Sequence, residues 1–546
     1  MSIFSTGLSG LNAAQNALST TSNNISNVYT PGYNREVTLL GESRADGGVQ
    51  VNDIQRQFNQ YVASQLDAAT SKSSALEAYG NQVDQIDSLL ADRDAGLAPL
   101  MQNFFSSLED LASAPSDPAA RQGVLGTVDT LSAQFRSFDG YLQDMQEGIN
   151  GQIADEVTQI NNTTEQLAGI NREIALARAR TGEAPNGLLN QRDRLVNELS
   201  ERMDVRLNIQ DGKTYNISLP SGQPLVAGTN HYTLEAMASP ADPQRTVLGY
   251  KDSGGNLVAL TEDTVTGGTL GGLMDFRAET LDKSQNQIGQ LAVSLAAGVN
   301  AQHRLGTDLD GDPGGALFTF GEPQVYSNAR NSGNATATAN FDDANLNNLR
   351  ATDYTVRVTD SASTPPTFEV TRKDSGETVA TSFDVSSQTL SVGGLQVAFQ
   401  DLNTALQGDR FEVQPVRRGA ANMESAIRDL DKIAAASSSG GTGNNENALR
   451  MQELQEQSLV GGSASFSGAY GAMVSDVGNR TNIVQVNLDA QQGLTDQLKA
   501  VQQSESGVNL DEEAANLIRY QQFYQANARV IETGRTVIDT ILGLRN

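Results

Sequence analysis

Asp308-Leu309-Asp310-Gly311-Asp312-Pro313-Gly314-Gly315 is the stretch whose residue types and spacing come nearest to chemistry. Three carboxylates at alternate positions could open a calcium loop. An EF-hand loop needs Gly at its sixth place and a bidentate Glu at its twelfth. Those places hold Pro313 and Thr319, so the motif fails and an acidic turn is favoured. The chain has two histidines, His231 and His303, and no cysteine. His303 ends an apolar helical run three residues after Asn300, where capping or packing fits better than ligation. His231 has no partner motif. Gly267-Gly268 and Gly271-Gly272 lack the strand–helix setting and the lysine of a phosphate loop, so they read as linker. No Ser/His/Asp set or paired-carboxylate spacing stands out, and abundant aspartates make accidental pairs expected. The sequence therefore predicts no catalytic residues, no metal and no cofactor: not an enzyme.

The elements around these residues point to a different kind of work. Phe4, Leu8, Leu11, Gln15, Leu18, Ser22 and Ile25 alternate by four and three, the seam of an amphipathic helix that packs along another helix. The helix carries no charge and breaks at Thr30-Pro31-Gly32, where Pro31 disfavours helix for the residue before it. The last stretch mirrors the first. Leu510, Ala514, Leu517, Tyr524, Ala528, Ile531, Ile538 and Leu542 keep the same heptad, with Gln521 and Arg535 in its polar places. Two seamed helices at opposite ends suggest that the ends meet and the rest is a long excursion out and back.

Within that excursion, residues 34–55 read as a hairpin around Asp46-Gly47-Gly48. Apolar heptads recur over Leu76–Leu90 and Leu97–Leu111. Asp117-Pro118 then offers an N-cap and a first-turn proline. From Val124 the seam runs through Ile149, slips by one at Ile153 and continues to Ile174, a rod of about 60 residues. Such a rod needs partner helices, for which 56–90 and 464–503 are the candidates. Residues 204–266 read as strand and turn, with a turn at Asp211-Gly212, and 270–303 read as helix. Residues 320–418 alternate in short strands such as Tyr354-Val356-Val358 and Leu395-Val397-Phe399. Ser437–Asn445 is a flexible connector, after which helix returns.

Composition narrows the partners. The chain has 546 residues and a formal net charge of -28, with neither Cys nor Trp. Two to four domains are expected at this length. So acidic a chain is repelled by phosphate backbones and anionic lipid, which argues against nucleic acid and membrane as partners. The first basic residue is Arg35, so no secretory n-region is present. No segment approaches the roughly 18 apolar residues of a membrane span. By these measures alone the chain reads as cytoplasmic.

Two motifs overrule that reading. Asn23-Asn24-Ile25-Ser26-Asn27 followed by Thr30-Pro31-Gly32-Tyr33 resembles the opening signature of the flagellar axial proteins, with a minor departure at Tyr29. Asn509-Leu510-Asp511-Glu512-Glu513-Ala514-Ala515-Asn516-Leu517, with Tyr520-Gln521-Gln522, resembles their closing helix. The block from Asn186 to Ser200, NGLLNQRDRLVNELS, resembles the hook-associated branch that forms the hook–filament junction. The resemblance implies a structural, self-assembling protein, exported unfolded and uncleaved through the flagellar type III apparatus to the extracellular flagellum. It implies a ring or short helical layer at the distal end of the hook. Its neighbours there would be hook protein and the next hook-associated protein, and an export chaperone would hold the C-terminal helix.

The expected fold is α+β. A long-helix bundle and coiled-coil-like terminal helices come from the N- and C-terminal segments, with an inserted all-β region. The expected units are a terminal tube-lining domain (1–35 with 505–546) and a helical bundle (36–203 with 420–504, to which 270–303 can contribute). A first β segment (204–269) and an outer β domain (304–419) complete them. The residues expected to carry assembly are Leu8, Leu11, Leu18, Ile25, Leu517, Tyr524, Ile531 and Ile538. The rivals are another axial subunit of the hook or rod, and a surface adhesin exported by the same apparatus.

Overall fold

The computed structural model describes residues 3–43, 47–91, 96–211, 214–252, 254–363, 365–438 and 441–544. Of the expected turn and connector residues, Asp46, Gly212, Ser439 and Gly440 lie outside them.

Helix α1 (Ile3–Ser26) leads into a β-hairpin of β1 (Glu36–Glu42) and β2 (Val49–Arg56), with a bulge at Leu39/Leu40. Four helices follow: α2 (Gln60–Leu90), α3 (Leu97–Ser113), α4 (Pro118–Thr181) and α5 (Asn186–Arg202). Asn59 starts α2 by accepting hydrogen bonds from the amides of Tyr61 and Val62. Asp117 does the same for α4 through Ala119, with Pro118 in the first turn as expected. Gly182 ends α4 in a left-handed conformation, φ 84°, with Arg178 and Arg180 in the last turn favouring the helix C-terminus. At 64 residues α4 is about 96 Å long.

The expected partners of α4 are corrected. It packs chiefly on α3, α5 and the antiparallel strands between Pro224 and Lys251, whereas α2 lies along α5, α6 (Gly268–Phe276) and α9 (Phe466–Ser506). The cause is local. The buried row of α2 is already covered: α9 runs antiparallel along it, with Tyr470 at Leu90, Val484 at Gly80 and Gln491 at Ala69, and Tyr79 packs edge-on against Phe276 of α6. The glycines read as linker are a second correction. Gly272 brings α6 against the carbonyl of Ala75, where a Cβ would collide. A five-residue π turn (Arg277–Leu281) joins α6 to α7 (Asp282–His303).

One apolar core runs the length of α3 and α4 and takes in α7 and α8 (Glu446–Glu453). A second belongs to the inserted β region. That region has a five-stranded antiparallel sheet in the order Gln324–Ser327, Arg410–Gln414, Tyr354–Asp360, Thr367–Arg372, Thr378–Val379. A four-stranded sheet faces it, in the order Thr336–Phe341, Leu395–Gln400, Thr389–Val392, Ser382–Asp384. Alternate residues Tyr354, Val356 and Val358, and Leu395, Val397 and Phe399, point into the shared core. The chain then returns through α8 and α9 to α10 (Leu510–Gly543), which lies along α1.

Candidate functional site

The two chain ends form an antiparallel helix pair, with Ile3 beside Gly534, Gly7 beside Ile531 and Gly10 beside Asn527. The face of α1 turned inward is small: Gly7, Gly10, Ala13, Ala14, Ala17, Thr20, Thr21 and Asn24 are its buried residues. A Cβ on Gly7 would lie 2.8 Å from Ile531 Cγ1, and one on Gly10 would collide with the Asn527 side chain. The pair therefore closes backbone to backbone. The β1–β2 hairpin covers another flank of α1, where Thr38 Oγ1 donates to Thr20 Oγ1 at 2.8 Å.

The four α1 residues expected to carry assembly, Leu8, Leu11, Leu18 and Ile25, therefore sit one position away from the inward row, while the four on α10 flank theirs and Ile531 touches α1. Leu8 is 53 % exposed, while Leu11, Leu18 and Ile25 are half-buried. On α10, Leu517 and Ile531 are half-buried, and Tyr524 and Ile538 are exposed. Ile531 alone of the eight is among the atoms nearest the α1 glycines. At 100° per residue, the antiparallel geometry places the α1 row and the Leu517–Ile538 row on the same side of the pair. A second exposed row on α10, Phe523, Val530, Val537 and Ile541, was missed. Its spacing of seven, seven and four carried the signal.

The base of the pair is polar. Asn24 Oδ1 accepts from the Tyr33 hydroxyl and the Glu36 amide, both at 2.9 Å. Its Nδ2 donates to the Glu36 carbonyl at 2.8 Å and to Glu513 Oε2 at 3.2 Å. Arg35 Nε reaches Glu513 Oε1 at 2.8 Å, and a second guanidinium nitrogen reaches Glu512 at 2.9 Å. The Arg35 amide also donates to the Ser506 carbonyl, just before α10. Glu513 is 1 % exposed, so its charge is held by this set rather than by water. Burial, with the Glu36 and Glu513 carboxylates nearby, pushes the Tyr33 hydroxyl far above its ordinary range, which keeps it a donor. Asn24, Tyr33, Glu512 and Glu513 belong to the two terminal motifs, which thus meet in one joint completed by Arg35 and Glu36.

The Asn186–Ser200 block forms the socket beneath it. Asn190 Oδ1 accepts from Asn34 at 2.8 Å and from Arg56 at 3.1 Å. Arg56 also pairs with Asp193 at 2.6 Å. Arg192 stacks on the Tyr215 ring, 3.3 Å from its centroid. Asn186 Nδ2 donates to the Ile54 carbonyl, and Asn197 Nδ2 to Asp67. The block thus ties the hairpin, α2 and the adjoining sheet to one helix.

The chemistry candidates resolve into structure. Lys432 Nζ lies 3.0 Å from carboxylate oxygens of Asp308, Asp310 and Asp312, so a side chain supplies the cation. His303 is fully buried, with Nδ1 2.9 Å from the Gly315 carbonyl and Nε2 accepting from the Ala434 amide at 2.9 Å. It pins two loops to the end of α7. His231 is exposed.

Comparison with known proteins gives the geometry its relatives. Residues 83–318 match the flagellar hook-associated protein FlgK helical domain. Residues 4–34 match the flagella basal body rod protein family, and 502–544 the flagellar basal body rod FlgEFG protein C-terminal family. Flagellar hook-associated protein 1 of Escherichia coli (strain K12) is 38% identical over 555 residues, covering 100% of both chains. Its counterpart in Salmonella typhimurium is 38% identical over 561 residues, again covering 100% of both. The structure of the flagellar hook junction protein FlgK from Burkholderia pseudomallei superposes with a TM-score of 0.75 at 28% identity, covering 81% of this chain and 100% of that one. The resemblance first carried by Asn23–Tyr33, Asn186–Ser200 and Asn509–Gln522 thus holds over the whole length, and the chain belongs to the flagellar hook-associated protein 1 family.

Proposed function

We propose that this chain is a structural, non-catalytic subunit of the hook–filament junction, and that the outer face of its terminal helix pair is where it meets neighbouring copies. The observation that carries this is the division of α1. Small residues fill the contact with α10, while Leu8 is left 53 % exposed in a row with Phe4, Leu11, Leu18 and Ile25. A contiguous apolar row left half-buried or exposed in this way marks an interaction surface. On this reading the units are the terminal pair 1–35 with 505–546, a helical bundle 36–203 with 420–504 to which 270–303 contributes, and β regions 204–269 and 304–419. Hook protein lies on one side of the layer and the next hook-associated protein on the other. An export chaperone holds α10 before assembly. The site of action is the extracellular flagellum.

The test compares flagellin attached to cells with flagellin free in the medium, in a strain lacking this chain and complemented by variants. Loss of the chain should leave hooks intact and spill flagellin as monomer. Leu8→Asp, which charges an exposed position, should fail to restore filaments while the purified variant keeps the parent's unfolding transition. Full restoration by Leu8→Asp would remove the assigned face; attached filaments in the strain lacking the chain would remove the junction role.

A further inference from the structure

The β region joins the helical body through a narrow neck. Its incoming leg at Gly321 donates its amide to the Gly419 carbonyl of the outgoing leg at 2.9 Å. The outgoing leg presses on α7 through glycine. A Cβ on Gly289 would collide with the Val416 carbonyl, and one on Gly419 would lie 2.6 Å from Val293 Cγ2. Val293 is the α7 residue that enters the core of the β region among the described residues. Phe320 of the incoming leg packs against both cores as well.

Charge does more there. Asp282 is the first residue of α7, directly after the π turn. One of its oxygens takes Arg245 at 2.8 Å and the other takes Arg417 at 2.7 Å. Arg245 comes from the strand region packed on α4, and Arg417 from the outgoing leg of the neck. Arg417 also pairs with Asp353, beside the first residue of the central strand Tyr354–Asp360. Arg277, at the other end of the π turn, is fully buried and donates to the Thr246 carbonyl at 2.7 Å while pairing with Glu262 at 3.2 Å. In a π turn residues five apart lie nearly above one another, which sets Arg277 and Asp282 on the same side of the helix. The side chains of Arg245, Arg417 and Asp353 are 8%, 5% and 3% exposed.

We propose that Asp282 is the positioning residue that keys the β region to the helical body at one orientation, through the chain Arg245–Asp282–Arg417–Asp353. Two buried guanidinium groups share its carboxylate. Removing that charge leaves Arg417 with Asp353 alone and Arg245 with Glu262 at 3.7 Å, so two buried guanidinium groups each lose their link to α7, a larger penalty than losing a surface pair. What then holds the β region is Val293 and Phe320 with hydrogen bonds such as Gln290 to the Leu349 carbonyl and Gln414 to Asp242, a looser set that permits a wider range of orientations. With the key in place the two cores turn as one body, so the orientation of the outer β region is set by the helices beneath it.

The chain has no cysteine, so labels can be introduced cleanly. Val385→Cys in the β region and Asn482→Cys on α9, both exposed, carry a spin-label pair on the full chain. Pulsed distance measurements should give a narrow distribution for the parent. Asp282→Asn should at least double its width, with helix content retained. Asp374→Asn, at an exposed pair with Arg372, should leave it unchanged. Should Asp282→Asn not fold, Asp353→Asn is measured in its place and should broaden the distribution likewise. A parent-like narrow distribution in the folded Asp282→Asn chain, or in Asp353→Asn when that stands in, overturns the key. So does equal broadening in Asp374→Asn.

Discussion

Asn24 and Glu513 are 489 positions apart and share a hydrogen bond, Asn24 Nδ2 to Glu513 Oε2 at 3.2 Å, with both side chains buried. Everything between them is the excursion. The contact closes it at the point where α1, the hairpin and the α9–α10 connection converge. Asn24 uses its full amide: two bonds accepted and two donated. A side chain so completely paired fixes geometry as well as adding stability, because no rotation preserves all four bonds.

Asn24→Ala should therefore loosen the ends without melting the middle. It strips partners from the Glu36 amide, the Tyr33 hydroxyl and a buried carboxylate oxygen. A loss of about 2 to 3 kcal/mol is expected for the terminal pair. Hydrogen exchange should show lost protection over Ile3–Ser26 and Leu510–Gly543, with α3 and α4 unchanged. Equal loss in α4 would mean that the joint and the body unfold together.

Gly10→Leu should separate α1 from α10. A Cβ at Gly10 already collides with Asn527, whose own amide is committed to the Phe523 carbonyl at 2.8 Å. Overpacking of this kind costs about 1 to 3 kcal/mol. Amide exchange in α10 should rise, whereas Leu8→Ala, which truncates an exposed side chain, should leave exchange in the free chain as in the parent.

The pattern of α1 shows what sequence can and cannot display. Periodicity finds Leu8, Leu11, Leu18 and Ile25 because hydrophobicity marks them. It does not say whether their partner is in the same chain. The contact inside the chain uses Gly7, Gly10, Ala14 and Ala17, one position earlier, and small residues carry no apolar signal. The same blindness placed α2 and α9 beside α4. All three seams were legible, but which seams face each other is decided by tertiary fit. The Asp117-Pro118 start, the rod and the alternating strands needed only local signals and stand as read. The Asn24–Glu513 joint needed a pairing across nearly the whole chain. Only the family motifs contained both residues, and they did not say that the two touch.

Asp67 gives a pH test of the socket. Burial pushes its carboxyl up to about 6, with the Asn197 hydrogen bond opposing and Asp193 adding to the rise. A folded carboxyl that holds its proton more tightly than the unfolded one adds stability at low pH. That contribution fades as pH rises from about 3.8 towards 6 and leaves a cost above it. Asp67→Asn removes the charge and keeps the shape. It should stabilise the protein by about 1 to 2 kcal/mol at pH 7.5 and by almost nothing at pH 4. Thermal unfolding at the two pH values reads the difference; a variant equally stabilised at both would show that charge is not the cause.

His303 titrates with the opposite sign. Burial lowers its pKa, outweighing the Gly315 carbonyl and the Asp308 charge, so the folded ring stays neutral. With Nε2 accepting from Ala434, the proton sits on Nδ1 and is given to Gly315. Unfolded, the ring takes a proton near pH 6.5, so the unfolded state binds more protons below that value. The neutral ring's contribution is thus complete above pH 6.5 and declines as pH falls towards the folded value. His303→Gln cannot hold both loops at the same distances and should cost about 1 to 3 kcal/mol at pH 8. Because Gln does not titrate, the gap between variant and parent should narrow between pH 7 and pH 5. A gap that stays constant would mean that the ring is protonated alike in both states. A gap that widens would mean that the folded ring carries a charge, and the Nδ1–Gly315 and Ala434–Nε2 assignment would then be wrong.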